Sequence, residues 1–306
     1  MNPQQMLQMA SHATAHLSDE QLAACFKHIH IIVSAPRSGS TLLFEQLCKQ
    51  QDIWSIGFET HVIFNLFPHL RFNNTNQESG ALDQSHADAK TIRLIRSAML
   101  FLLQNHRGQR YLDPAVDAPA QPLMVEKTPR NALNIQFLRQ LFPQARFIYM
   151  HRQPQPAIAS LIEAWQVGLQ TGRFVTYPNL PGWHLPAWCF LLPSGWQDLI
   201  GHELAEIACF QWIRSNQTIQ QDLAKLPADS HCDISYEALR QSPEQAILAL
   251  LQFIQPGLNH QPEVDMVLSR STLTPPDPNK WRRHEHAINT LRSQWQDVLK
   301  GYQKTD

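Results

Sequence analysis

The stretch that most constrains the chain is a β-branched run, His28-Ile-His-Ile-Ile-Val33, followed at once by Ser34-Ala-Pro-Arg-Ser-Gly-Ser-Thr41 and by Leu42, Leu43, Phe44 and Leu47. The run predicts a buried strand, the next residues a turn-rich loop, and the last four the start of a helix. Such a loop presents several backbone N–H groups at the positive end of the helix dipole, which favours an anion there. A nucleoside triphosphate loop would read G-x-x-x-x-G-K-[ST]. Here Ser34 stands in place of the first glycine and Ser40 in place of the lysine, while Gly39 and Thr41 keep their positions. Arg37 offers a guanidinium fork instead, and the hydroxyls of Ser38, Ser40 and Thr41 add donors.

Apolar spacing predicts further helices over 4–28, 90–106, 131–142 and 203–226, one after Ser242-Pro243, and a last one carrying Ile288, Leu291, Trp295 and Val298. Pro122–Glu126, Arg146–Met150 and His231–Tyr236 read as strands, and 73–89 and 274–281 as loops. Strands alternating with helices predict a parallel sheet covered on both faces. The 306 residues, 43% of them hydrophobic, suffice for one domain spanning 1–306. Residues 173–196 break every period and hold four prolines and three tryptophans. They read either as a lid or substrate wall, or as a packed irregular insertion.

A formal net charge of -1 gives no global field that would attract nucleic acid or an anionic membrane, so any anion site is local. Five cysteines without C-x-x-C spacing suit reduced thiols. The first residues lack a signal-peptide pattern, and nowhere do about 18 apolar residues run together, so no membrane span and a cytoplasmic protein are expected. The fifteen histidines form no metal motif, and no D-x-D pair stands beside the loop, so no metal is expected. The apolar helix near 92–103 suits a core or a partner equally, which leaves the oligomeric state open.

A second anion signal is His151-Arg152-Gln153-Pro154, directly after a predicted strand, with Ser160 eight residues beyond Arg152. Parallel sheets bind ligands at the carboxyl ends of their strands, which places Arg152 on the same rim as Arg37. Two arginine–serine sets on one rim suit a ligand with two anionic ends. In these motifs the sequence resembles sulfotransferases that use 3′-phosphoadenosine 5′-phosphosulfate (PAPS): APRSGSTLL is similar to their 5′-phosphosulfate loop, and HRQPQPAIAS to their R-x-P-x-x-x-x-x-S motif for the 3′-phosphate. Glu126-Lys-Thr-Pro129 resembles a segment of bacterial members, and Ile234-Ser-Tyr-Glu237 resembles a Y-E-D-L strand end, with Ala238 where an acidic residue would stand.

The resemblance implies a P-loop-like three-layer α/β sandwich with a central parallel sheet flanked by helices. It implies that Arg37, Ser38, Gly39, Ser40, Thr41 and Leu42 hold the 5′ end of PAPS, and that Arg152 and Ser160 hold the 3′-phosphate. Tyr236 would pack near the nucleotide, and Lys280, with Arg282 in competition, would be the late basic residue over the 3′-phosphate. Glu59, in Gly57-Phe-Glu-Thr-His61, falls where tyrosylprotein-type and some polyketide-associated members carry a glutamate. It would accept the acceptor's proton, with His61 as a second candidate or a substrate contact. Negative charge building on the leaving oxygen calls for cations, and Lys127 at a strand end is the candidate, assisted by Arg37 and Ser40. The acceptor would be a small or carrier-bound molecule, lipid-like or polyketide-like, with a carbohydrate or a peptide tyrosine as alternatives. Two other readings of the scaffold are a P-loop kinase-like phosphotransferase and a non-catalytic carbohydrate or peptide binding module.

Overall fold

A strand buried on both faces has to be covered by helices on both sides, and the chain supplies them in alternation. The computed structural model describes residues 3–72, 78–257, 261–275 and 277–302. In chain order the elements begin α1 (Pro3–Ala13), α2 (Asp19–Ala24), β1 (Ile29–Val33), α3 (Ser40–Cys48), β2 (Ile53–Trp54), α4 (His61–Phe64), α5 (Ala89–Leu102) and β3 (Leu123–Lys127). There follow α6 (Ile135–Leu141), β4 (Arg146–His151), α7 (Pro154–Thr171), β5 (Val175–Pro178), β6 (Ala187–Cys189) and α8 (Leu204–Leu223). The last are β7 (His231–Ser235), α9 (Tyr236–Gln241), α10 (Pro243–Ile254), α11 (Glu285–Thr290) and α12 (Arg292–Tyr302).

Five strands form one parallel sheet in the order β2-β3-β1-β4-β7. The register pairs Ile32 with Lys127, Val33 with Tyr149, and His151 with Ser235, so the carboxyl ends of the central strands reach one rim. The chain leaves β1 toward the β2–β3 side and later continues on the β4–β7 side, which makes the end of β1 the switch point where open parallel sheets bind ligands. Side chains alternate as the pleat requires. Ile29, Ile31, Val33, Met124, Phe147 and Tyr149 pack with α1, α2, α5 and α6 on one face. Ile32, Val125, Ile148, Met150 and Ile234 pack with α3, α9 and α10 on the other. The result is the three-layer α/β sandwich.

Several boundaries differ from those the periodicity predicts. The helix expected over 4–28 divides because Ser18 starts a new one: its hydroxyl accepts from Gln21 N at 3.2 Å while Gln21 Oε1 accepts from Ser18 N at 2.8 Å. The helix expected from Asn131 begins only at Ile135, because the Asn131 side chain is spent on Glu126 in a preceding 3₁₀ turn. Tyr236 opens α9 instead of ending β7, since Ser235 Oγ caps the helix on Ala238 N at 3.0 Å. The last helix breaks at Leu291 into α11 and α12. The two-residue strand β2 carries no periodic signal. Of the loops expected over 73–89 and 274–281, residues 73–77 and Pro276 lie outside the described residues.

The aromatic stretch 173–196 is a packed structure. β5 and β6 pair antiparallel, and Trp183, Trp188 and Trp196 are buried against one another and against Trp165 and Trp212 of α7 and α8. Gln211 of α8, fully buried, ties the hairpin down: Nε2 donates to the carbonyls of Cys189 and Leu191 at 2.9 and 2.8 Å, and Oε1 accepts from Trp165 Nε1 at 2.7 Å. All five cysteines are free thiols, and burial pushes those of Cys48, Cys189, Cys209 and Cys232 up to about 12, so they stay protonated. Among the described residues no helix is long and apolar enough to cross a membrane.

Gln211→Leu leaves the Trp165 indole N–H without its acceptor and takes the Gln211 donor from the Cys189 and Leu191 carbonyls, Leu191 keeping only the Trp188 indole N–H, in a dry site. Urea denaturation should show a loss of about 3 kcal/mol; a loss below about 0.5 kcal/mol would mean that Gln211 does not hold the hairpin.

Candidate active site

After β1 the backbone turns sharply twice. Arg37 sits at φ 67° and Gly39 at φ 96°, the left-handed region that favours glycine. Gly39 is required for a second reason: a Cβ there would lie 2.4 Å from Cδ2 of Tyr236 and 3.0 Å from Cε of Met150. The turn delivers the chain into α3, whose N-terminus has no side-chain cap. Its first N–H groups therefore remain without intrahelical partners beside a cavity of about 370 Å³.

Two arginines meet at this corner. Arg37 Nε donates to Ser160 Oγ at 3.3 Å and Nη1 to the Ser271 carbonyl at 3.0 Å. Arg152 Nη1 donates to the Arg37 carbonyl at 3.0 Å, while its guanidinium lies 4.3 Å over the Tyr236 ring. Burial, with Arg152 and Arg173 nearby, pushes the Arg37 pKa down to about 10, which still leaves it charged at neutral pH. Among the described residues, the buried Nε of Arg152 and the hydroxyls of Ser34 and Ser38 have no hydrogen-bond partner. This corner therefore holds more positive charge and more donors than the protein itself satisfies, and it fits an anionic ligand. The segment 261–275 closes over it. Gln46 of α3 and Gln50, just beyond its end, each bond one of its residues through both amide atoms: Gln46 to Asp265 at 2.7 and 2.9 Å, and Gln50 to Glu263 at 2.7 and 3.1 Å.

A second constellation stands on the β3 side. Glu59 Oε1 accepts from Lys127 Nζ at 2.6 Å, and Oε2 lies 3.1 Å from His61 Nδ1. Behind them the buried Glu126 accepts from Thr60 Oγ1 at 2.8 Å, Thr128 Oγ1 at 2.6 Å and Asn131 Nδ2 at 3.0 Å, and Thr60 N donates to Thr128 Oγ1 at 2.8 Å. These bonds fix the 59–61 turn against the 127–131 turn. Burial alone raises the pKa of a carboxyl, and it raises that of Glu126. At Glu59 burial is outweighed by the His61 contact and the Lys127 ion pair, which hold the carboxyl at about 2.

Of the residues singled out in the sequence, Arg37, Gly39, Ser40, Thr41 and Leu42 line the cavity from α3 and its loop. Arg152, Ser160, Tyr236 and Lys280 line it from the neighbouring elements, and Glu59 and His61 from the β3 side. Ser38 and Lys127 do not reach the wall; Lys127 is 2% exposed and stands behind Glu59. Lys280 donates to Glu163 and Thr274, and its competitor Arg282 is exposed, away from the cavity. Sequence reasoning missed Arg130, which lines the cavity just after Lys127-Thr-Pro129, and Glu163 on α7. Phe174 and Phe190 frame the cavity from the aromatic segment, their rings stacked 5.1 Å apart. Among the described residues four non-glycines have positive φ, and three of them, Arg37, Phe174 and Phe190, line this cavity. Strain of this kind persists where the surroundings over-determine it. Among the described residues no cluster of three or more His, Cys, Asp or Glu side chains is placed to hold a metal ion.

A family model described as the sulfotransferase family matches residues 31–260. Similar solved structures include a sulfotransferase domain from the curacin biosynthetic pathway: identity 20%, coverage 88% of this chain and 90% of that one, TM-score 0.44. The sulfotransferase domain of the Synechococcus PCC 7002 olefin synthase is 19% identical, with 90% and 93% covered and a TM-score of 0.43. Sulfotransferase STF9 from Mycobacterium avium is 16% identical, with 96% and 85% covered and a TM-score of 0.47. No curated protein sequence matches the chain.

The lowered pKa of Glu59 has a signed consequence. A carboxyl held at about 2 in the folded state, against 4.5 ordinarily, stabilises the fold above pH 4.5 and loses that contribution as pH falls toward 2. Denaturation from pH 6 to 2.5 should therefore show the stability gap between wild type and Glu59→Gln narrowing as the acid range is entered. A gap independent of pH would contradict the ion-pair geometry.

Proposed function

The chain belongs to the sulfotransferase family, and from that membership we propose that it moves the sulfuryl group of PAPS to an acceptor hydroxyl. The observation that carries the donor assignment is the corner itself: an uncapped α3 N-terminus flanked by Arg37 and Arg152. That arrangement suits the 5′-phosphosulfate at the helix end and the 3′-phosphate at Arg152 and Ser160, with the Tyr236 ring beside the nucleotide. Bound there, PAPS supplies a sulfuryl group activated by a phosphoanhydride-like bond.

The protein's own residues do the rest. Arg37 and the free N–H groups of α3 oppose the negative charge that develops on the leaving side. Of the two candidates for the base, His61 fits better. Glu59 Oε1 is engaged by Lys127 and Oε2 lies 3.1 Å from His61 Nδ1, and a carboxyl held near 2 is a weak proton acceptor. Nε2 of His61, on the cavity wall, has no hydrogen bond among the described residues and is open to a substrate hydroxyl. The hydroxyl proton passes to Nε2, while Glu59 at 3.1 Å from Nδ1 orients the ring and stabilises the imidazolium. Lys127 acts through Glu59, keeping the carboxylate ionised and in place; it is not the cation that meets the leaving oxygen. The Phe174–Phe190 wall receives an apolar acceptor body.

Incubation with PAPS labelled in its sulfuryl group and a metabolite extract should yield a labelled product, whose mass names the acceptor, together with adenosine 3′,5′-bisphosphate. His61→Asn should lower turnover by about 10²-fold or more while nucleotide affinity stays within about twofold. Full activity in that variant would remove His61 from the proton step, and absence of product across broad extracts would count against sulfuryl transfer.

A further inference from the structure

Among the described residues two arginines on the cavity wall, Arg130 and Arg240, have no hydrogen bond or ion pair; Arg240 is exposed on α9, whereas Arg130 is partly buried. Arg37 and Arg152 are committed to the α3 corner, and Lys280 is paired with Glu163. Arg130 stands apart, on the turn after β3, which is bonded through Thr128 to the separate turn carrying Glu59 and His61. Its guanidinium has no hydrogen bond and no carboxylate within 4 Å among the described residues. Glu59, whose charge it feels, is already engaged by Lys127, with its other oxygen 3.1 Å from His61 Nδ1. The side chain is partly withdrawn from water, and burial lowers its pKa.

Arg130 is not a loose surface group. Pro129 restricts the backbone before it, Asn131 N donates to the Thr128 carbonyl at 2.9 Å, and the Asn131 side chain is held by the buried Glu126. The same cavity is walled by Phe174, Phe190 and Leu191. An apolar acceptor that displaced water from this space would strip the guanidinium of its hydration without replacing it, a penalty that only an opposite charge offsets.

Building on the proposed sulfuryl transfer, we infer that Arg130 is an acceptor-recognition residue, and that the acceptor is an apolar alcohol bearing a carboxylate or phosphate that pairs with its guanidinium. A planar guanidinium takes either group through two parallel N–H bonds. The acceptor is then chosen by charge at one end and by apolar fit against the two phenylalanines, while His61 takes the proton of its hydroxyl.

The test is calorimetric titration of the protein, saturated with adenosine 3′,5′-bisphosphate, by octanoate, octyl phosphate and the neutral methyl octanoate. At least one anion should bind about tenfold or more tighter than the ester, and the tighter of the two identifies carboxylate or phosphate. Arg130→Gln should abolish that preference, Arg130→Lys should keep part of it, and both should bind the bisphosphate within about twofold of wild type. Equal binding of anions and ester, no binding of any of the three, or a preference surviving in Arg130→Gln would overturn the inference. Weakened bisphosphate binding in Arg130→Gln would also overturn it by placing Arg130 on the donor side. Failure of wild type to bind the bisphosphate at all would overturn the donor assignment instead.

Discussion

The cavity depends on the corner between β1 and α3. A parallel strand ending at the switch point of the sheet has to hand the chain to a helix within a few residues, and here it does so through two left-handed positions, Arg37 and Gly39. Gly39 is pressed against Tyr236 so closely that no side chain fits between them. Tyr236 is in turn set by the Ser235 cap of α9 and lies under the guanidinium of Arg152. Strands β1, β4 and β7 are thereby coupled at their carboxyl ends, and the uncapped helix faces the space they enclose. The strain in this turn is offset by the buried strands on either side, and the donors it leaves open are what an anion would satisfy.

The other half of the cavity is built on a buried carboxylate that does not reach the cavity wall. Glu126 joins the turn carrying Glu59 and His61 to the turn carrying Lys127 and Arg130 through bonds to Thr60, Thr128 and Asn131. A fully bonded polar group in a low-dielectric interior fixes geometry more firmly than packing alone. The Arg37–Arg152 corner and the Glu59–His61 turn thus rest on different strands of one sheet and face one cavity.

Much of this was legible in the sequence, where the chemistry is local. The β-branched run, Arg37 with Gly39, and Arg152 with Ser160 carry their meaning in adjacent residues, and the structure gathers them around one cavity. Long-range placement was not legible. Lys127 reads as a cation at a strand end, yet its ammonium is turned onto Glu59 from a site 68 residues away. Arg130 is one arginine in a turn, and nothing nearby in the chain marks it as unpaired. The stretch 173–196 reads equally as a substrate wall or as a packed insertion, and it combines the two: its tryptophans are core, while its Phe174 and Phe190 line the cavity. The closure of 261–275 over α3 depends on two glutamines whose partners lie more than two hundred residues away.

Titration of the protein with adenosine 3′,5′-bisphosphate beside adenosine 5′-monophosphate measures the two-anion corner most directly. One site should appear, with the bisphosphate bound about tenfold or more tighter because Arg152 and Ser160 receive the second phosphate, and Arg152→Ala should erase the difference. Equal affinities for the two nucleotides in the wild-type protein would contradict it.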